Sequence, residues 1–442
     1  MLEIILFIAL LLVMLIVGVL AGRRATNEGY QIYGGKLPSV GFIASYVATF
    51  VGAGFFVAGT AYAYQFGKAF IWYAIGMVIG ITVFGFFSRW LKNYSKGKEF
   101  YNMPDFFKHR FGIVAGKVVA LMLILLMAGD LAIQLISGGK ILELLGIAPY
   151  NIAVVITITV VAIYLLSSGF RAVVWTDVVL AVLMGVLTLL ISYISITNIP
   201  TINLNFEAVP IGTIIGFFLF GVFGPYTLST YYQRIFAAKN AKTAMRGTWF
   251  GGLFIFILVA LVIVIGIAAR SIMPNIDPDI AFVSLLQHFG GLIMSVGALV
   301  LWSALMSTSD TLTFSGSQIL SYNVFGVKMS KKAIRISVIA ILLFGMIISF
   351  LVPSIIAVGM IFLGGGTIIA PIGFFQWFIK FKQKAVVSAL VAGTIALIAY
   401  VALVDLTPAV VAVTFVVSTV TLFAVHLGEK ALNLVRKPSN PL

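Results

Sequence analysis

The chain has 442 residues, of which 62% are hydrophobic and only 9% charged. A soluble domain carries about a quarter charged residues, so this composition excludes one and points to an integral membrane protein. The absence of cysteine rules out a disulfide scaffold, thiolate-held metals and thiol catalysis, and the three scattered histidines (His109, His288, His426) make a His-based metal site an unpromising reading. The formal net charge of +15 would suit nucleic acid, but the placement of the basic residues explains it without that partner.

A spanning helix needs about 20 mainly apolar residues. That template predicts thirteen, in order 2–22, 39–65, 68–90, 113–144, 151–167, 172–196, 209–235, 247–270, 288–322, 333–351, 354–379, 385–403 and 408–427. The first is read as a retained helix, because Glu3 makes its start acidic and Arg23-Arg24 follow the apolar run. With the N-terminus outside, every Lys and Arg of the 28 except Lys68, Lys140 and Arg270 falls on an inside loop or helix end. That alternation is the positive-inside rule, and it places the C-terminus and the tail 428–442 in the cytoplasm.

Two of the elements contain breakers. In 39–65 the run ATFVGAGFFVAG puts Gly52 and Gly54 at mid-membrane; in 209–235 the run FLFGVFGPYTLS puts Gly221, Gly224 and Pro225 there. Taken singly, such glycines usually mark close helix packing. Taken together they head two sets of five spans, 39–196 and 209–379, which the span count gives opposite orientations, with 2–22 and 385–427 peripheral. Interrupted segments at matching places in inverted halves point to a transporter's midplane site. The expected fold is therefore an all-α membrane protein in one transmembrane domain, a 5+5 inverted repeat whose first helices are discontinuous.

The third span of each set holds an acid, Asp130 and Asp310. In LWSALMSTSD, residues Ala304, Ser307 and Thr308 are spaced i, i+3, i+4 and share one face. Two hydroxyls and carbonyls from a facing unwound helix make a cage of neutral oxygens, suited to a hard monovalent cation. The competing reading is that these hydroxyls bond their own helix or its neighbours. Carboxylates inside the membrane mark function by default; for Asp177 the alternative is an ion pair with Arg171, and for Asp130 a hydrogen bond to Gln134.

The segments SSGFRAVVWTDVV (167–179), YYQRIFAAKNAKTAMRG (231–247) and ALMSTSD (304–310), with ATFVGAGFFVAGTAYAYQFG (48–67), together resemble the sodium/solute symporter family of proline, pantothenate and sugar symporters. The resemblance implies a leucine-transporter-type fold and sodium-driven symport by alternating access. It implies a sodium site made by the carbonyls of Ala48, Val51 and Ala304 with the side chains of Ser307 and Thr308, and a second ion or proton site at Asp177 and Asp310. Candidate substrate contacts on the helices expected to face that site are Phe55, Trp72, Asp130, Gln134, Tyr226 and Gln376. Two departures argue against known substrates: Phe50 stands where proline-type members carry aspartate, and Phe55 where sugar-type members carry glutamine. Asp130 is not a general family feature and points to a substrate with an amine.

The sequence thus predicts no enzyme and no cofactor beyond Na+ as coupling ion, in a multi-pass plasma-membrane protein. Its partners would be a small organic solute such as an amino acid or carboxylate, sodium and lipid, with no nucleic acid, in a monomer or weak oligomer. The alternatives are a proton-coupled symporter using Asp177 or Asp310, and a non-transporting membrane sensor, which would need a soluble output domain.

Overall fold

A computed structural model describes residues 35–144, 146–167, 170–198, 209–327 and 330–435, with Leu12 and Ile16. The expected first span, 2–22, and the end of the tail lie outside the described residues. Within them the chain is helical throughout, and ten helices are long and apolar enough to cross a membrane. The expected broken span is seen as α1 (Ser39–Phe50) and α2 (Ala53–Phe66), bent by 53°, and counts as an eleventh where the pair is taken as one span. The helix in the place of expected span 151–167, α6 (Tyr150–Ser167), is apolar but falls short of the spanning length over Tyr150–Ile163. The structure therefore places a helix at every expected span after the first without establishing the number thirteen.

The bend has a local cause. Val51 leaves the helical region at φ −87°, ψ 72°, and Gly52 is extended at φ −89°, ψ 176°. The Gly52 amide then bonds Phe50 O (3.1 Å) instead of continuing the ladder, so the Ala48 carbonyl loses its helical partner. The glycine is required for space, not for its dihedrals: a Cβ at Gly52 would sit 2.5 Å from Thr308 Oγ1.

The second interruption is milder. Helix α8 (Ile211–Phe223) passes through a 3-10 turn at Gly224–Tyr226 and an extended Leu228 into α9 (Ser229–Ala237), and the whole still counts as one span. Pro225 cannot donate a backbone bond, which is where the α-helical ladder stops. Between the two broken elements, α3 (Lys68–Tyr94), the short α4 (Met103–Phe111), α5 (Ile113–Leu144), α6 and α7 (Phe170–Thr197) follow in order. After α9 come α10 (Ala241–Ile272), α11 (Ala281–Phe289), α12 (Gly291–Ile319, extended by a π turn to Val324), α13 (Lys331–Leu351), α14 (Ile355–Phe375), α15 (Gln383–Leu403) and α16 (Ala409–Val435).

The expected single span 288–322 is corrected at its start. Gly290, at φ 63°, ends α11, and α12 begins one residue later. Helix α12 is the most enclosed of the crossings, packing on α5, α7, α13 and both halves of the first broken helix. Helix α3 packs against α8 and α10, and small residues permit the approach: a Cβ at Gly80 would lie 2.5 Å from Gly221 O. Apolar side chains such as Leu121, Phe254, Ile336 and Ile395 are exposed on the outside of the bundle, as helices in hydrocarbon require.

Both ends of the bundle are tied. At the end carrying the basic loops, Leu37 pairs with Ala238 as an isolated bridge: Leu37 N donates to Ala237 O (2.9 Å) and Lys239 N to Leu37 O (3.0 Å). There too Lys92 Nζ donates to Phe236 O (2.6 Å), and Asn102 bonds Asn323 (2.9 Å). At the opposite end Asp279 accepts from the first amides of α14, Ile355 N (2.9 Å) and Ile356 N (3.1 Å), and pairs with Lys140 of α5 at 3.3 Å. Tyr64 at the end of α2 donates to Met273 O (2.7 Å) and accepts from Ile276 N (3.2 Å).

Candidate functional site

The carbonyl released by the first break meets α12. Ser307 Oγ lies 3.3 Å and Thr308 Oγ1 3.4 Å from Ala48 O, all three buried. Val51, at the corner of the break, and Ala304, a turn earlier on α12, are fully buried beside them. The structure thus brings the hydroxyl face of α12 to the break.

Asp177 of α7 organises this face. It accepts from Ser307 Oγ at 2.6 Å and from Ser45 Oγ of α1 at 2.7 Å. A hydroxyl has one proton, so Ser307 can give it to Asp177 Oδ1 at 2.6 Å or to Ala48 O at 3.3 Å, and not to both. Given to Asp177, it leaves a lone pair of Ser307 Oγ able to ligate a cation.

Asp177 has a buried ion-pair partner that sequence reasoning did not name. Its counter-charge is Arg234 of α9, with Nη2 3.8 Å from Oδ2 and both side chains fully buried; the Arg171 side chain lies outside the described ones. Arg234 also donates to Ser45 Oγ (3.1 Å), Thr230 O (3.2 Å) and Thr311 Oγ1 (3.0 Å). The charge rule places Arg234 at a helix end, and Thr311 is not among the site residues expected from sequence. The structure makes them one buried network joining α1, α7, α9 and α12. Asp310 is fully buried one residue from Thr311, near enough for its charge to act on Arg234.

On the other side of the break lies a cavity of about 140 Å³. Its walls come from both halves of the first broken helix, from α3, α5, α8, α9, α10, α12 and α14, and from Leu228 between α8 and α9. The lining is mainly apolar and aromatic, with Phe50, Phe55, Phe70, Phe217 and Phe362 among its rings. Its polar groups are few: Thr49, Asp130, Gln134, Thr230, Thr308 and the hydroxyls of Tyr62 and Tyr73. Gln134 connects this cavity to the break, since its Oε1 accepts from Gly54 N (3.0 Å) and its Nε2 donates to Asp130 Oδ1 (3.1 Å).

Of the expected substrate contacts, Phe55, Asp130 and Gln134 line the cavity, whereas Trp72, Tyr226 and Gln376 lie elsewhere. Trp72 is 43% exposed on the outer face of α3, while Phe70 and Tyr73 of the same helix turn inward. Tyr226 packs its ring against Phe84, Phe87 and Phe374. Gln376, at the end of α14, donates to Gly373 O (3.3 Å), and its own carbonyl accepts from Arg110 (3.2 Å) at the basic end. Phe50, noted in the sequence for its departure from proline-type members, also lines the cavity, and the lining residues that sequence reasoning missed include Tyr62, Phe70, Tyr73, Phe217 and Phe362; on helices apolar all round, no pattern tells which face turns inward.

Residues 30–214 match the sequence model of the Sodium:solute symporter family. The chain is 24% identical over 332 residues to a sodium/pantothenate symporter of Haemophilus influenzae, covering 67% of this chain and 66% of that protein. It is 27% identical over 289 residues to an uncharacterised symporter of Bacillus subtilis, covering 58% and 54%. These matches thus span about half to two thirds of the relatives' lengths. Among solved structures, the substrate-bound, outward-open state of a sodium-coupled sialic acid symporter superposes with a TM-score of 0.79 at 18% identity, over 98% of each chain. The closed form of the nucleobase-cation-symport transporter Mhp1 gives 0.60 at 14% identity, over 91% and 94%. Residues 30–214 are thus similar to the sodium:solute symporter family, and the helical fold is shared along nearly the whole chain with the sodium-coupled sialic acid symporter.

Proposed function

We propose that this protein is a secondary active transporter that moves a small organic solute together with sodium by alternating access. The observation that carries the reading is the Ala48 carbonyl, freed by the helix break and faced by Ser307 and Thr308 at 3.3 and 3.4 Å beside the cavity. Neutral oxygens in this arrangement suit a hard monovalent ion, with Val51 O and Ala304 O as the further ligands. Ion binding would fix the break, and through Gly54 and Gln134 the break fixes the substrate side of the cavity. Asp177, with Asp310 nearby, is the candidate for a second cation, in exchange with Arg234.

The same reading takes 39–196 and 209–379 as inverted repeats, since each opens on an interrupted helix. The basic loops would face the cytoplasm and the apolar exterior would meet lipid. The side-chain ties at the two ends of the bundle, Lys92 to Phe236 and Asn102 to Asn323 at one and Asp279 to α14 at the other, are the contacts that opening to either side has to release.

Purified protein tests this without a known solute. Sodium, against equal potassium, should raise the unfolding temperature and produce a charge displacement on solid-supported membranes. Both responses should disappear in the Ser307→Ala, Thr308→Ala double variant. An unchanged sodium response in that variant removes the site assignment. Charge movement driven by a pH gradient in sodium-free buffer would favour proton coupling instead.

A further inference from the structure

We infer that the solute is a cationic amine with an apolar, ring-sized body and no carboxylate, and that Asp130 is its charge partner. The inference rests on the sodium-symport reading above and assigns the chemistry of the same cavity. Asp130 is the one carboxylate among the described lining residues, and none of them is basic. Its recorded polar partner is Gln134, a neutral amide. A carboxylate in a mainly apolar cavity keeps its charge only where a positive charge meets it and otherwise takes up a proton, and no protein cation among the described lining residues supplies that charge. An incoming ammonium does, and the aromatic walls add cation–π attraction.

The same bonds argue against an anion. The amides opening α2 form a helix N-terminus, the ordinary place to receive a carboxylate. Here the Gly54 amide is already satisfied by Gln134 Oε1 at 3.0 Å. Gln134 thus plays two parts: it satisfies one of the amides that open α2 with a neutral oxygen, and its amide nitrogen holds the Asp130 carboxylate. Because that arm hangs on the break, sodium and the amine are recognised by two ends of one chain of contacts, Thr308–Gly52 and Gly54–Gln134–Asp130.

A charge series on one scaffold tests this: phenethylamine, phenethyl alcohol, phenylpropionate and phenylalanine, titrated into the purified full chain with and without sodium. Expected is sodium-enhanced binding of phenethylamine, at least tenfold tighter than the alcohol and tighter still than phenylpropionate or phenylalanine. Asp130→Asn should weaken phenethylamine at least thirtyfold and the alcohol less than threefold. Preference of the wild-type chain for phenylpropionate or phenylalanine overturns the inference, as does failure of phenethylamine to bind. An Asp130→Asn protein with undiminished amine affinity overturns it too, and the wild-type series decides the matter where that variant does not fold. A sodium shift without amine binding sinks this inference alone, whereas loss of the sodium response itself sinks the symport reading.

Discussion

Replacing Gly52 by alanine isolates the contact between the helix break and the hydroxyl helix. Gly52 has φ −89° and ψ 176°, a backbone any residue adopts, so alanine adds no strain and only bulk. The added Cβ would stand 2.5 Å from Thr308 Oγ1, 2.8 Å from Gln134 Oε1 and 2.9 Å from Thr308 Cβ, where ordinary contact begins at 3.4 Å. Thr308 and Gln134 come from different helices, so a side-chain rotation on one side leaves the other clash in place. The break and α12 must separate by about half an ångström to an ångström, which opens the Ala48–Thr308 approach and strains the Gln134–Gly54 bond. Overpacking of this kind costs about 1–3 kcal/mol. If it falls on the ion-bound state, the sodium half-saturation rises roughly five- to 150-fold. The assay is sodium titration of the unfolding temperature and of charge displacement. Gly129→Ala is the control, because its Cβ would meet only Val358 Cγ1, at 3.9 Å; it should bind sodium normally. A folded Gly52→Ala protein with wild-type sodium half-saturation would refute the coupling of the break to the ion.

Three further outcomes follow from the packing. Asp177→Asn takes from the buried Arg234 the carboxylate 3.8 Å away, with Asp310 still acting on it, and should destabilise the fold by about 3 kcal/mol; Asp177→Leu with Arg234→Leu, read by thermal unfolding in detergent, should recover part of that loss. If the double variant is worse than both singles, the pair is not what holds α7 to α9. Asp279→Ala removes the acceptor for Ile355 N and Ile356 N and should cost about 1–2 kcal/mol, whereas Lys140→Ala, removing only the ion pair, should cost under about 1 kcal/mol; equal losses would mean that the ion pair and not the cap matters. Gly80→Ala should loosen α3 from α8 and lower the yield of folded protein, measured by size-exclusion profile, because Gly221 O and Val222 O lie 2.5 and 2.6 Å from its would-be Cβ; a normal profile would show that the two helices have slack.

What the sequence disclosed follows from what each residue signals locally. Gly52 and Gly54 in an apolar run announce the break, and the i, i+3, i+4 placement of Ala304, Ser307 and Thr308 gives one face whatever the tertiary fold. The break then lands on that face because Gly52 leaves the room Thr308 needs. Helix phase was not legible where a helix is apolar on all sides. Trp72 and Tyr73 are adjacent in sequence and point about 100° apart, so one faces outward and the other the cavity, with no pattern to separate them. Nor could the Asp177–Arg234 pair be read. Arg171 is the nearer basic residue in sequence, and Arg234 satisfied the charge rule as a loop-end cation. Its burial depends on α9 being the short half of an interrupted helix, which draws its last turn into the protein.

The Leu37–Ala238 bridge carries a mechanical consequence. Two main-chain bonds yoke the start of α1 to the end of α9, so the basic-end halves of the two interrupted helices are rowed by a single oar. A displacement of one that leaves the other behind must first unstitch that bridge. Opening at this end should therefore swing both halves as a rigid pair: spin labels on α1 and α9 should keep their mutual distance while both move away from α12. A change in that mutual distance would show that the yoke is released before the gate.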